Sequence, residues 1–190
     1  MKTHLIASVA ESAYVAMPRG GMHNHHVLII PIACVPSRVH MSPAAKVDLQ
    51  KYEFALQSMF QENDCVSLRF ERSLRTKGKD HMQVQIIPVS VSRLSETIKI
   101  FMQTATFYKL KFSEIADSDG EVDEVVVNME GGPFQEYFYI EIPIGDSCDS
   151  VRYKRFVYVH ADQSTKFPMH FGIEVIVTDT ICCTKSLYKN

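Results

Sequence analysis

The stretch His81-Met82-Gln83-Val84-Gln85-Ile86-Ile87-Pro88 constrains the fold more than any other, because polar and apolar side chains alternate along it. Period two is the mark of a β-strand, where successive side chains point to opposite faces. His81, Gln83 and Gln85 are expected on one face, and Met82, Val84 and Ile86 on the other, against a core. Burying an unpaired carboxamide costs roughly 1–3 kcal/mol, so the two glutamines are expected to line a polar groove rather than a dry interior.

Other segments frame this strand. Leu5–Val9 and Ala13–Met17 read as a hairpin across Ala10-Glu11-Ser12, and Pro18-Arg19-Gly20-Gly21 interrupts regular structure. His25–Ile32 reads as an apolar strand. Ser42 supplies an N-cap and Pro43 a favoured first helical residue, and Leu49, Tyr52, Leu56 and Met59 follow at helical spacing, so a helix is expected over 43–61. Cys65–Glu71 and His81–Val89 are the next strands. Beyond Ser90, Ile98, Phe101, Met102 and Ala105 mark a second helix of about 12 residues. Ser113–Glu124 carries six acidic side chains in 12 residues and reads as a solvated loop. Tyr137–Pro143 and Arg152–Val159 read as a further strand pair, and Phe167–Asp179 as a helix. This order predicts an α+β fold, divided into a first unit over 1–92 and a smaller second unit over 93–190.

The net charge of −2 gives the whole chain no attraction for nucleic acid, so RNA binding would need a local basic patch. Arg69, Arg72, Arg75, Lys77 and Lys79 place five positive charges within 11 residues just ahead of the alternating strand. Arg152, Lys154 and Arg155 form a weaker patch that reads as an exposed strand face plus a turn. The five cysteines show no C-x-x-C spacing, and no signal peptide or apolar run of roughly 18 residues is visible. A reduced, soluble, intracellular protein with no membrane contact is expected. Asp117-Ser118-Asp119-Gly120 faintly suggests a calcium loop, but its glycine comes too early and no Glu occupies the twelfth position. The His23-Asn24-His25-His26 run falls short of the three or four convergent ligands a metal needs. No cofactor is expected.

The strand around Gln83 resembles the histidine triad (HIT) pattern, His-φ-His-φ-His-φ-φ with φ apolar, in which the middle His attacks a nucleotide's α-phosphate. Gln83 holds that middle position. A carboxamide nitrogen has its lone pair delocalised into the carbonyl, so Gln83 cannot form the covalent intermediate, yet it can donate and accept hydrogen bonds. Gln85 holds a place where the galactose-1-phosphate uridylyltransferase branch also resembles this pattern with Gln. A narrower resemblance runs along nearly the whole chain. His25-His26-Val27-Leu28-Ile29-Ile30-Pro31, Val66-Ser67-Leu68-Arg69-Phe70-Glu71-Arg72, His81-Met82-Gln83-Val84-Gln85, Tyr137-Phe138-Tyr139-Ile140-Glu141 and Phe167-Pro168-Met169-His170-Phe171-Gly172-Ile173-Glu174-Val175 fall in order and spacing. Together they resemble the paired CwfJ C-terminal domains of the Cwf nineteen-like splicing factors. Ile173 and His170 stand where that pattern has Arg and Gln.

The resemblance implies a nuclear, spliceosome-associated protein whose first half is a degenerate HIT-like module. Its expected partners are RNA, including branched intron RNA, and spliceosomal proteins or the lariat-debranching machinery. The expected RNA- or nucleotide-contacting residues are His26, Lys77, Lys79, His81, Gln83 and Gln85, with no catalytic residue. Each has a plainer alternative. His81 reads either as a ribose or phosphate contact or as a structural histidine satisfied by a carbonyl. Lys77-Gly78-Lys79 reads either as an anion-binding edge or as a solvated hairpin turn. The aromatic strand Phe134–Tyr139 reads as core on one face and a domain interface on the other, in preference to a base-stacking platform. Two further functions stay open: a residual nucleotide hydrolase or transferase using His81 or His26, and a protein-interaction scaffold.

Overall fold

A computed structural model describes residues 5–74, 81–129, 132, 136–160 and 167–177. Among the described residues, eight antiparallel strands form one sheet in the order β1-β2-β3-β5-β4-β7-β8-β6. They are β1 (Ile6–Val9), β2 (Ala13–Ala16), β3 (Val27–Pro31), β4 (Cys65–Ser73), β5 (Val84–Ser90), β6 (Ser113–Ile115), β7 (Tyr137–Ile144) and β8 (Arg152–Val159). The helices are α1 (Pro43–Gln61), α2 (Leu94–Phe107), α3 (Val122–Asn128) and α4 (Phe171–Val177). The α+β class agrees with the sequence reading. The sheet draws strands from both sides of residue 92, with β4 pairing β7 through Arg69↔Glu141 and Phe70↔Ile140.

Helix α1 begins where its residues dictate: the Ser42 hydroxyl accepts a hydrogen bond from the Ala45 N–H at 3.2 Å, and Pro43 takes the first turn. Its inner face puts Ala45 and Leu49 against Ala13, Val15, Val27, Ile29, Met82, Val84 and Ile86. On the opposite face, α2 and α4 close a larger core around Leu68, Phe70, Ile87, Phe101, Phe138, Ile140, Phe156 and Phe171. α3 covers the β6–β8 end of the α1 face through Val122 and Val126 against Ile115, Tyr137, Tyr139 and Val157. Among the described residues, no helix is long and apolar enough to cross a membrane.

Four expectations need correction. β5 starts at Val84, not His81, because the Met82 N–H bonds the Val35 carbonyl and the pairing with β3 begins at Ile29↔Val84. Likewise β3 starts at Val27, two residues later than expected. The acidic segment 113–124 is not simply a loop: it holds β6 and the first turn of α3, since Ile115 and Val122 supply buried apolar contacts that its charge conceals. Cys34 and Cys148 are free thiols, but Cys65 is disulfide-bonded, against the all-reduced expectation. α4 falls inside the segment expected to be helical, whose last two residues lie outside the described ones.

Candidate nucleotide-contacting groove

Register places the polar strand face. Leu28 lies opposite Gln85 and Ala16 opposite Leu28, while Tyr14 lies opposite Ile30. Phe70 lies opposite Gln85 on the other side. Opposed residues share a face, so Gln85, Leu28, Tyr14 and Phe70 face away from α1. Gln83 and Gln85 are half-buried while Met82, Val84 and Ile86 are buried, which is the division the alternation predicted.

His26 and His81 bracket this face. His26 immediately precedes β3, whereas the exposed His81 ring bonds the Pro31 carbonyl through Nε2 at 2.9 Å, at the other end of the same strand. Five extended residues separate His26 from Pro31, or about 16 Å. The structure therefore brings His26 and Gln85 together and leaves His81 remote from both. Tyr14, on the same face, was not singled out in the sequence; the signal was its alternation with Ala13 and Val15 in β2.

His26 is 3% exposed. Burial depresses its imidazole to about 4, against a weaker opposing influence of the Gln85 side chain, and nearby His23 lowers it further. The ring is thus neutral near pH 7. Its Nδ1 accepts from the Met22 N–H at 3.4 Å, which leaves Nε2 as the protonated nitrogen. Buried Nε2 has no partner in hydrogen-bond geometry; Gln85 influences the ring without meeting that geometry. Burial also lowers the pKa of His25, with His23 adding to the effect. Among the described residues, no group of three or more His, Cys, Asp or Glu side chains is placed to hold a metal.

Of the basic cluster ahead of β5, only Arg69 and Arg72 lie within the described residues. Lys77, Lys79 and Arg75 lie outside the described residues. Arg69 turns beneath α1 and pairs with Glu141 at 3.2 Å and Glu53 at 3.6 Å. Arg72 donates to the Met169 sulfur at 2.8 Å. In the second patch, Lys154 pairs with Glu114 at 2.9 Å, and Arg155 donates to the Gly120 carbonyl at 2.8 Å. Asp119 of the calcium-like tetrapeptide accepts from the Ala116 N–H at 2.8 Å and so closes a local turn. Tyr137, Phe138 and Tyr139 are all buried, as a core strand requires.

Sequence reading missed a buried ionic network on the α1 face. Arg38 stands 3.5 Å from Glu53 and 3.4 Å from Glu71, and the Tyr137 hydroxyl donates to Glu71 at 2.8 Å. The Tyr139 hydroxyl donates to Glu141 at 2.8 Å. Gln57 accepts from the Ser67 N–H at 2.9 Å, the Ser67 hydroxyl at 2.6 Å and the Tyr153 hydroxyl at 2.9 Å. The available signal was charge inside apolar strands: Arg69 between Leu68 and Phe70, and Glu141 between Ile140 and Ile142.

Comparison with known proteins places this arrangement. The model of the family described as proteins similar to CwfJ C-terminal matches residues 1–102. Zinc finger CCCH domain-containing protein 59 of Oryza sativa subsp. japonica is 29% identical over 179 residues, which is 93% of this chain and 27% of that protein. CWF19-like protein 1 of Mus musculus is 28% identical over 183 residues, 95% of this chain and 30% of that protein. CWF19-like protein 1 of Homo sapiens is 27% identical over the same length, with the same two shares of 95% and 30%. The chain thus spans less than a third of the length of these relatives.

Proposed function

We propose, from the premise that this chain belongs to the family of proteins similar to CwfJ C-terminal, that it is a non-catalytic, HIT-like RNA-contacting module of a splicing-associated nuclear protein. The observation that carries this reading is the groove face itself. Gln83 occupies the place of a nucleophilic histidine, beside Gln85 and the neutral His26, on a sheet face that keeps both amides half-buried. Carboxamides suit recognition rather than attack, because they offer paired donors and acceptors to base edges or ribose hydroxyls.

In this reading Lys77 and Lys79 hold the phosphate backbone, Gln83 and Gln85 meet the nucleotide, and His81 marks the groove's far end. The finer assignment is to branched intron RNA, in company with spliceosomal proteins or the debranching machinery. The first unit, 1–92, carries the groove, and the second, 93–190, extends its sheet.

Fluorescence anisotropy with short linear and branched RNAs at two salt concentrations tests this. Wild type is expected to bind, and Lys77→Glu/Lys79→Glu to lose affinity with a salt slope smaller by about 1.4, from about 0.7 per phosphate contact on single strands. No binding at low salt would replace this reading with a protein-interaction scaffold. Turnover of an adenosine phosphoramidate, lost in His26→Ala or His81→Ala, would replace it with a residual hydrolase.

A further inference from the structure

The network beneath α1 holds more acid than base. Two guanidiniums, Arg38 and Arg69, face three carboxyls, Glu53, Glu71 and Glu141, and no side chain among these five is more than 15% exposed. An uncompensated charge there is strongly penalised, because water cannot solvate it. The surrounding charges do not cancel it. Arg155 commits its guanidinium to the Gly120 and Ala116 carbonyls and lies 3.8 Å from Asp117. Glu121, just before α3, adds a further negative influence on Glu53. Tyr137, Tyr139 and Tyr153 face the cluster as neutral phenols, each pushed above the ordinary tyrosine range chiefly by burial.

The three carboxyls are unequally served. Glu71 Oε1 accepts from the Arg38 N–H at 2.9 Å and the Tyr137 hydroxyl at 2.8 Å, while its Oε2, 3.4 Å from Arg38 Nε, makes an ionic approach but no hydrogen bond among the described residues. Glu141 accepts from Arg69 at 3.2 Å and from Tyr139 at 2.8 Å. Glu53 has only two long ionic approaches, 3.5 Å to Arg38 and 3.6 Å to Arg69, and its buried Oε1 has no hydrogen-bond partner.

We propose that this network is a proton-binding site, holding one proton at neutral pH on the Glu53 carboxyl and thereby letting α1 seat on the sheet. Protonation removes the excess negative charge at the group with the fewest donors to stabilise it. Glu71, although also raised by burial, keeps its anion because two hydrogen bonds, from the Arg38 N–H and the Tyr137 hydroxyl, and the Arg38 guanidinium serve it. Glu53 is raised by burial and by Glu141 and Glu121, and Arg38 and Arg69 only partly oppose them. A carboxyl raised on folding makes the native state bind more protons than the unfolded chain, so stability falls as pH rises above about 4.5. The proton is a property of the cluster as well as of one residue, since Arg69 Nη1 contacts both Glu53 and Glu141.

The test follows glutamate 13Cδ shifts of the assigned wild-type 190-residue chain from pH 4 to 9, with urea midpoints for wild type and Glu53→Gln. The expected result is a Glu53 resonance that keeps its protonated position through neutral pH and titrates only above it. The wild-type midpoint is expected to fall between pH 6 and 9, and the Glu53→Gln midpoint to stay flat. A Glu53 resonance already in its ionised position at neutral pH, or a Glu71 resonance that stays protonated there in its place, overturns the proposal, and so does a variant that tracks wild type at every pH. The wild-type spectrum decides the matter even where the variant does not fold.

Discussion

On the α2/α4 side of the sheet, Phe101 meets Phe156 and Phe112 at 4.9 Å each and Phe138 meets Phe171 edge-on at 5.4 Å. On the α1 side, comparable space is shared between aliphatic side chains and the Arg38–Glu53–Glu71–Arg69–Glu141 network. The aromatic side is held by area and shape, through many small contacts that depend on volume. The ionic side is held by partnership: each charge is tolerable only while its counter-charge stands. Two solutions to burial thus sit back to back on β4, whose Phe70 faces one way and whose Arg69 and Glu71 face the other.

The largest expected effects separate the two by how they are rescued. Arg38→Ala leaves the Glu71 carboxylate buried without its main counter-charge and is expected to cost roughly 3–5 kcal/mol. Phe101→Ala opens a cavity and is expected to cost about as much, roughly 3–5 kcal/mol. Phe101→Leu should recover much of its loss, whereas Arg38→Met should recover little, because volume is not what the ionic side lacks. Urea unfolding of the four variants checks this, and equal recovery would erase the distinction.

A smaller effect tests how tightly the aromatic side is packed. A Cβ on Gly172 would come within 2.6 Å of the Phe70 ring. Gly172→Ala is therefore expected to destabilise by about 1–3 kcal/mol through overpacking. Full stability in the same unfolding assay would mean that α4 shifts freely on the sheet.

The last test concerns pH, and its effect shows only on the acid side. His26, near the rim of the α2/α4 face, is depressed to about 4, so the unfolded chain takes up its proton first as pH falls. Its contribution to stability is present above about pH 6.5 and is lost as pH falls toward 4. This is opposite in sign to the dependence expected of Glu53. His26→Gln should flatten the acid limb of the urea midpoint and Glu53→Gln the neutral-to-alkaline limb. A His26 imidazole that titrates near 6.5 by NMR would remove the first half of that contrast.

Much of the fold was legible where local chemistry and periodicity agreed. α1 carries its own cap and stripe, and its bounds match the residues that Ser42, Pro43 and the apolar spacing select. The groove was half legible: alternation assigned Gln83 and Gln85 to one face. It did not show that β5 would start at Val84, and a carbonyl partner for His81 was one of its two readings, which the Pro31 carbonyl supplies. β6 and the start of α3 were concealed because acidic residues dominate a segment whose few apolar side chains do the packing. The basic cluster misled in the opposite direction, since Arg69 turns inward to Glu141.

By itself the sequence determined which faces are apolar, where α1 starts, and that Gln83 and Gln85 alternate with apolar neighbours. These are properties of single residues and of short periods, and the backbone geometry of helix and strand reads them out directly. Only the tertiary structure decided which charges are buried together. Arg38 meets Glu71 across 33 residues and Arg69 meets Glu141 across 72. Such partners are chosen by strand order and register, so no local pattern announces them. The reason is physical: a charge on a strand is cheap or costly according to the neighbour that the sheet supplies.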